Sequence, residues 1–195
     1  MKLPDIIEVT LKVIKVFEKL GIAYHIGGSL ASSAFGIARS TLDVDIIAEI
    51  KPEQASDIYE KLREEFYVDS EMILNAIQKQ SSFNLIHLET LFKVDVFPLK
   101  NHPFDQQAFQ RRLQKAPSED TSQKLFFATP EDIVLHKLLW YKAGEGVSDR
   151  QWNDVLGVLK VQGDQLDMVY LKEWAEKLNV FNLLMKAIHE AGILE

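Results

Sequence analysis

The residues best suited to chemistry in this chain are three aspartates on two apolar segments. Asp43 and Asp45 alternate with Val44 and Ile46, and Asp95 lies between two valines further along the chain. Alternate side chains of an extended strand share a face, so Asp43 and Asp45 are expected to point the same way. Their ionised carboxylates repel each other and need a positive partner, either Arg or Lys side chains or a divalent cation. Mg²⁺ suits the pair because it binds carboxylates together with substrate phosphates.

Each of these acidic residues also has a simpler interpretation. Asp43 follows Thr41 in a candidate turn, and Asp45 could face solvent at the edge of a sheet. Lys93 shares a strand face with Asp95, as on the solvent side of an amphipathic strand. An isolated Asp-x-Asp is more often of this kind than a metal site, so the choice depends on the surrounding sequence.

A glycine turn precedes the first two aspartates. Gly27-Gly28-Ser29 lies between a predicted strand over 23–26 and a predicted helix over 30–35. Glycine lets a backbone approach a ligand closely, and the free N–H groups at a helix start favour phosphate. We expect Ser29 to cap this helix and Gly36 to end it. The turn therefore predicts a phosphate site beside the aspartates.

The elements around these residues divide the chain into two parts. Before residue 128 the patterns predict strands over 23–26, 42–50, 83–88, 92–97 and 124–128, and helices over 4–20, 30–35, 52–66, 70–78 and 105–114. From Thr129-Pro130, a good helix start, the pattern is almost wholly helical, over 131–141, 149–160, 167–178 and 180–191. We expect an α/β domain over 1–128 and a helical C-terminal subdomain over 129–195.

The length, composition and net charge of the chain argue against several classes of function. The chain has 195 residues, enough for one sizeable core or a core with a small helical appendage. No apolar run approaches the roughly 20 residues that a membrane span needs, and the first residues do not resemble a signal peptide. Cysteine is absent, which fits a reducing, cytoplasmic setting. The net charge of −7, from 22 basic and 29 acidic residues, argues against a broad nucleic-acid surface.

Taken together, these motifs resemble the nucleotidyltransferase superfamily, which has the DNA polymerase β-like fold. The resemblance rests on Gly28-Ser29, the thirteen residues that follow, then Asp43-Val44-Asp45-Ile46, and later Val94-Asp95-Val96. The longer run that includes Gly36, Arg39 and Thr41 is most similar to a bacterial subgroup related to abortive-infection-type nucleotidyltransferase toxins. The helical part of this chain is similar to the helical tail of that subgroup at Thr129-Pro130-Glu131-Asp132, Lys137, Asp149-Arg150 and Asp154.

The resemblance implies an α/β (α+β) fold with a mixed, mostly antiparallel sheet flanked by helices and followed by a helical part. It implies a transferase that moves a nucleoside monophosphate from a nucleoside triphosphate to an acceptor hydroxyl or amine and releases pyrophosphate. Asp43, Asp45 and Asp95 would be the catalytic residues and the ligands of two Mg²⁺ or Mn²⁺ ions, and Asp95 could also deprotonate the acceptor. The nucleotide-binding residues would be Gly27, Gly28, Ser29, Arg39 and Lys137. For Arg39, phosphate binding and an ion pair with the two neighbouring aspartates stay equally open.

Other functions remain open at this point. The same fold could serve as a non-catalytic nucleotide-binding module or a toxin–antitoxin-like partner, and a phosphohydrolase or cyclase would use similar two-metal chemistry. The acceptor could be a small molecule, a protein or a tRNA end, and a homo-oligomer is left open. The five histidines show no metal-ligand spacing. For Trp140, Trp152 and Trp174 the alternatives are core anchoring and base stacking, and we expect core anchoring.

Overall fold

The computed structural model describes residues 5–117 and 123–193. Within them, seven strands form one sheet with the order β3-β4-β5-β2-β1-β7-β6: β1 Tyr24–Ile26, β2 Asp43–Ala48, β3 Phe66–Tyr67, β4 Phe83–His87, β5 Lys93–Pro98, β6 Leu113–Lys115 and β7 Leu125–Phe127. Four of the six strand pairings are antiparallel, and the pairs β1–β7 and β2–β5 are parallel. This confirms the mixed, mostly antiparallel sheet flanked by helices.

Helices account for most of the remaining described residues. They are α1 Ile6–Lys19, α2 Gly28–Phe35, α3 Ala55–Leu62, α4 Ser70–Lys79, α5 Pro103–Arg111, α6 Pro130–Ala143, α7 Asp149–Gln162, α8 Met168–Lys177 and α9 Phe181–Ala191. In the ranges that the structure describes, none of them combines the length and apolar character that a membrane span requires. The four helices predicted after Thr129 are all present, and Thr129 caps α6 through a hydrogen bond from the backbone N–H of Asp132.

The alternation of side chains along β2 and β5 decides where the acidic residues point. Val44, Ile46, Val94 and Val96 are fully buried on one face of the sheet. The intervening side chains therefore share the opposite face, because successive residues of a strand point to opposite sides. Burial of the valines and isoleucine thus forces the aspartates together on that other face.

One buried apolar cluster includes residues from both predicted domains. It contains Val44 and Val94 from the sheet as well as Leu138 of α6 and Val158 of α7. Helix α7 also contacts α2, where the backbone N atom of Val158 would lie 2.8 Å from a Cβ placed on Gly36. The helical part packs closely on the α/β part, and a boundary between residues 128 and 129 stays a prediction.

Several predicted boundaries differ from the structure near turns. The predicted helix over 52–66 begins with a 3₁₀ turn at Pro52–Gln54, continues as α3 and ends before β3. The buried Phe66 pairs with His87 of β4, so sheet pairing overrides the helical pattern there. The end of the predicted helix over 105–114 is instead β6, which pairs with β7 at the sheet edge.

The start of one helix, α2, also needs correction. Gly27, rather than Ser29, is the N-cap of α2, and Ser29 is already inside the helix. Gly36 ends α2 as expected. The prediction that Pro4 opens the first helix lies outside the described residues; α1 starts at Ile6, with the Asp5 side chain accepting hydrogen bonds from two backbone N–H groups.

Candidate active site

Three aspartates and a lysine come together on the exposed face of the two central strands. The parallel register places Asp45 directly beside Asp95, and Asp43 beside Lys93. The ammonium of Lys93 lies 2.7 Å from Oδ2 of Asp95. Thr41 donates a hydrogen bond of 2.6 Å from Oγ1 to Oδ1 of Asp43. The tertiary structure therefore brings the three predicted carboxylates into one group.

The carboxyl group of Asp45 has a shifted pKa. Burial first, and then the carboxylates of Asp95 and Asp43, raise this pKa to about 6. Positive charge on Lys137 and Lys93 opposes the shift. A raised carboxyl pKa means that negative charge here is poorly compensated, which is the condition that a bound cation relieves.

The glycine turn is pressed against this carboxylate. Gly28 has φ +56°, and a Cβ at this position would lie 1.6 Å from Oδ2 and 2.6 Å from Cγ of Asp45. The backbone N–H of Gly27 donates a hydrogen bond of 2.9 Å to the main-chain oxygen of Asp45. Both the positive φ and the close approach require glycine at position 28. The start of α2 is therefore held directly against the aspartates.

A second charged group joins the sequence motif to the helical part. Nε and Nη2 of Arg39 lie 2.9 and 3.0 Å from the two carboxylate oxygens of Asp154, which also accepts a hydrogen bond of 2.8 Å from Nζ of Lys137. Arg39 also donates to the hydroxyl of Ser29. Burial raises the pKa of Asp154, but the hydrogen bonds from Arg39 and Lys137 outweigh it and hold the pKa below its usual range. Two cations thus share one carboxylate.

These contacts give the predicted nucleotide-binding residues definite positions. Gly27, Gly28 and Ser29 adjoin the aspartates at the start of α2. Lys137 is 3% exposed and is bonded to Asp154, although its charge still acts on Asp45. The ion-pair partner of Arg39 is Asp154, rather than Asp43 or Asp45. Their binding of phosphate stays a prediction.

The carboxylates fit a divalent cation by their chemistry, although they are not arranged as ligands. Over residues 5–117 and 123–193, no group of three or more His, Asp or Glu side chains is positioned to hold a metal ion. Three carboxylates on one face nonetheless supply the oxygen ligands that Mg²⁺ and Mn²⁺ prefer. The ammonium of Lys93, rather than a metal ion, neutralises the carboxylate of Asp95. A cation that binds Asp95 through Oδ2 must therefore displace this ammonium.

A pocket with a volume of about 130 Å³ opens next to Gly27 and Gly28. Its lining includes His25 of β1, Phe97 at the end of β5, Asp105 of α5, and His136 and Trp140 of α6. The expectation that Trp140 is a core anchor was wrong, because 41% of its surface is exposed and it faces this pocket. Trp152 and Trp174 do pack against the buried cluster.

The pocket residues were not recognised in the sequence. They come from four separate elements, and none of them belongs to a motif with recognisable spacing. Only the apolar surroundings of His25 on a predicted buried strand could have drawn attention to it. Lys93 was recognised as sharing a face with Asp95, but its ion pair was not predicted.

The sequence matches no protein-family model and no curated protein. Solved structures do resemble it. The solution structure of the antibiotic-resistance factor ANT(2'')-Ia superimposes with a TM-score of 0.55 and 13% identity over 96% of both chains. The crystal structure of an antigenic nucleotidyltransferase-like protein from Paracoccidioides brasiliensis superimposes with a TM-score of 0.50 and 17% identity, covering 92% of this chain and 91% of that one. The fold is nucleotidyltransferase-like. At these identities the likeness extends to the fold, which agrees with the resemblance of the sequence motifs.

Proposed function

We propose that this protein is a metal-dependent nucleotidyltransferase. It moves a nucleoside monophosphate from a nucleoside triphosphate to an acceptor hydroxyl or amine, with release of pyrophosphate. The observation that carries the proposal is the group formed by Asp43, Asp45 and Asp95 on one face of the sheet, directly against the glycine turn. The nucleotidyltransferase-like fold supports the same reaction class.

In this proposal the three aspartates hold two divalent ions, either Mg²⁺ or Mn²⁺. The number of ions is the one that the resemblance implies. When bound, the metal supplies charge neutralisation for the triphosphate and the leaving pyrophosphate. The backbone N–H groups at the start of α2, from Gly28 and Ser29, bind phosphate oxygens, because the free N–H groups of a helix start favour anions. The short distance from Gly28 to Asp45 keeps both functions in one site.

Arg39, Lys137 and Asp154 together supply one positive charge beside the phosphates. Two cations against one carboxylate leave this group with a net charge of about +1, which complements the negative charge of a triphosphate. Lys137 is already held by Asp154, so it is positioned before the nucleotide binds. Such positioning lowers the reorganisation that binding requires.

The transfer step involves one bond made and one bond broken. The acceptor oxygen or nitrogen attacks the α-phosphorus, and the bond from that phosphorus to the bridging oxygen of the β-phosphate breaks. The acceptor proton passes to the Asp95 carboxylate, and the electron pair of the broken bond leaves with pyrophosphate. Asp95 can act in this way only after Lys93 has released it, since the two are now paired at 2.7 Å.

The acceptor belongs to the same proposal. A small molecule, a protein or a tRNA end are the three candidates, and the negative net charge of −7 favours an acceptor other than a long nucleic acid. The longer motif keeps the abortive-infection-type bacterial subgroup as the proposed branch of the superfamily. The absence of cysteine supports a reducing cytoplasmic setting.

Incubation with α-labelled nucleoside triphosphates, Mg²⁺ or Mn²⁺ and candidate acceptors tests the reaction. We expect labelled acceptor and pyrophosphate in equal amounts. The double variant Asp43→Asn, Asp45→Asn should abolish both products, while Asp57→Asn, at an exposed position of α3, should not change them. The proposal fails if the double variant transfers as fast as the natural protein. Phosphate as the product in place of pyrophosphate would indicate a phosphohydrolase.

A non-catalytic nucleotide-binding module is the second candidate. The ion pair between Lys93 and Asp95 favours it, because it occupies the third carboxylate and leaves no metal-binding group among the described residues. Calorimetry with ATP and Mg²⁺, run beside the transfer assay, separates the two functions. Saturable ATP binding with no transfer to any acceptor would support the module.

A further inference from the structure

The pocket beside the glycine turn has no role in the proposed transfer step. Its volume of about 130 Å³ is close to the roughly 150 Å³ of an engineered cavity that holds one benzene ring. It shares Gly27 and Gly28 with the proposed phosphate site. A ligand of one or two fused rings that is linked to a phosphate chain could therefore occupy both.

Part of the pocket wall is apolar and includes two aromatic rings. Trp140 of α6 and Phe97 of β5 have ring centroids 6.5 Å apart with an angle of 39° between their planes, and Ile47 and Ile133 line the pocket beside them. Their separation is too small for a ring to lie between them, so a planar ligand would stack on one exposed ring, that of Trp140. Aromatic side chains of this kind bind the faces of bases through stacking.

His25 lines this pocket and has a buried nitrogen without a hydrogen-bond partner among the described residues. The side chain is 2% exposed, and its Nδ1 has no hydrogen-bond partner among the described residues. A buried polar atom without a partner is costly, so such an atom in a pocket indicates where a ligand atom binds. The same imidazole packs against Phe109 at a centroid distance of 5.3 Å, which fixes the plane of its ring.

Asp105 supplies a hydrogen-bond acceptor to the same pocket. Nδ1 of His136 lies 2.9 Å from the carbonyl oxygen of Asp132, which can only accept, so this nitrogen carries a proton. Nε2 of His136 lies 3.3 Å from Oδ1 of Asp105. His102 Nδ1 lies 3.8 Å from Oδ2 of Asp105, too far for a hydrogen bond. Oδ2 of Asp105 thus keeps its acceptor capacity whether or not Nε2 of His136 carries a proton.

We propose that this pocket binds the nucleobase of the nucleotide and selects a base that carries an exocyclic amino group. The base stacks on Trp140, its amino group donates a hydrogen bond to Asp105, and a neighbouring polar atom of the base pairs with Nδ1 of His25. A planar base fits because its faces are apolar and its polar atoms lie in the plane of the ring, whereas the hydroxyls of a sugar project above and below its ring. The proposal rests on the proposed nucleotidyltransferase function, which it makes more specific.

Nucleosides test this pocket without involving the metal or phosphate sites. Calorimetry on the full chain, with no metal added, would compare adenosine with purine riboside, which lacks only the amino group, and cytidine with uridine. We expect the amino-bearing member of each pair to bind about tenfold more tightly, as for one hydrogen bond to a charged group. Asp105→Asn should bring both ratios closer to one, because a neutral amide oxygen is a weaker acceptor than a carboxylate and the amide NH₂ can also donate to O4 of uridine.

Trp140→Ala provides a second, independent variant. It should weaken all four nucleosides by roughly fivefold or more while leaving the two ratios unchanged, because stacking does not depend on the amino group. Asp57→Asn on α3 is the matched control and should leave every affinity unchanged. The ratios remain informative even if a variant is partly unfolded, because both ligands of a pair are measured on the same sample.

Two results would overturn the proposal. One is the absence of saturable nucleoside binding by the natural protein, and the other is a pair of ratios that Asp105→Asn leaves unchanged. Failure of the proposed transfer function is distinguishable from both. A protein that binds nucleosides with these ratios but transfers no nucleotide would support the base pocket and refute the transferase.

Discussion

Replacement of Gly28 by alanine should damage the site through a steric clash with Asp45. The backbone at this position has φ +56°, which costs a residue with a Cβ about 1–2 kcal/mol. In addition, the new Cβ would lie 1.6 Å from Oδ2 of Asp45 and 2.9 Å from its Cβ, so the carboxylate must move. Overpacking of this kind adds roughly 1–3 kcal/mol. We therefore expect Gly28→Ala to lower the free energy of unfolding by about 2–5 kcal/mol.

Gly21→Ala is the matched control for this variant. Gly21 has φ +65°, but a Cβ there would meet nothing within 4 Å, so the variant carries the backbone strain without the clash. It should lower the free energy of unfolding by only about 1–2 kcal/mol. Urea unfolding of both variants measures the difference between them, which is the contribution of the clash.

The same clash should weaken ligand binding and should depend on Asp45. Displacement of a catalytic group by about 1 Å can reduce activity roughly a hundredfold, so we expect a loss of this order in transfer for Gly28→Ala. In an Asp45→Ala background the added cost of Gly28→Ala should shrink, because the atoms 1.6 and 2.6 Å away are gone. Equal destabilisation by Gly28→Ala and Gly21→Ala, with no change in Mg²⁺–ATP affinity, would refute the reasoning.

Three further predictions concern charge. Asp154→Asn should lower the free energy of unfolding by about 3 kcal/mol in urea titrations, because it removes the anion that neutralises the buried ammonium of Lys137. Burial first, then the charge of another histidine, lowers the pKa of His25 to about 3 from the usual 6.5. Below pH 6.5 the unfolded chain therefore binds a proton at His25 that the folded chain does not. The contribution of His25 to the free energy of unfolding is complete above this pH and is lost as the pH falls. Between pH 7 and pH 5 the natural protein should lose about 2 kcal/mol more than His25→Phe. Lys93→Met should tighten Mn²⁺ binding about tenfold by calorimetry, because the ammonium no longer competes for Asp95.

Each of these predictions has a control or a contradicting result. Glu173→Gln, which removes a half-exposed ion pair of α8, should cost less than about 1 kcal/mol, and a similar loss for Asp154→Asn would contradict its buried role. Parallel stability-versus-pH curves for His25→Phe and the natural protein would show that His25 does not resist protonation. Unchanged or weaker Mn²⁺ binding in Lys93→Met would show that Lys93 does not compete with the metal.

The acidic group was predictable because strand alternation is a local property. The apolar residues around Asp43, Asp45 and Asp95 had to be buried, and the period of two then fixed the side of the aspartates. Local sequence did not reveal that Lys93 would pair with Asp95, although the shared face was visible, because rotamer and distance depend on the neighbouring strand. Helix boundaries failed where tertiary pairing competed, as at Phe66, whose burial against β4 ended a helical pattern.

The pocket beside the glycine turn and the role of Asp154 as a partner of two cations could not be predicted from the sequence, for a different reason. His25, Asp105 and Trp140 are far apart in the chain and meet only because α5 and α6 pack on one face of the sheet. Asp154 likewise reaches Arg39 across 115 residues. Long-range contacts of this kind depend on how helices dock, which no local spacing encodes.

By itself, the sequence determined strands β1, β2, β4, β5 and β7, the glycine turn and the face on which three carboxylates lie. Short-range periodicity and burial of apolar residues are sufficient for these. Only the tertiary structure decided how those charges are compensated. It paired Asp95 with Lys93 and Asp154 with Arg39 and Lys137, and it left Nδ1 of His25 without a partner among the described residues. Charge compensation depends on distances of a few ångströms between residues from separate elements, and packing of those elements sets such distances.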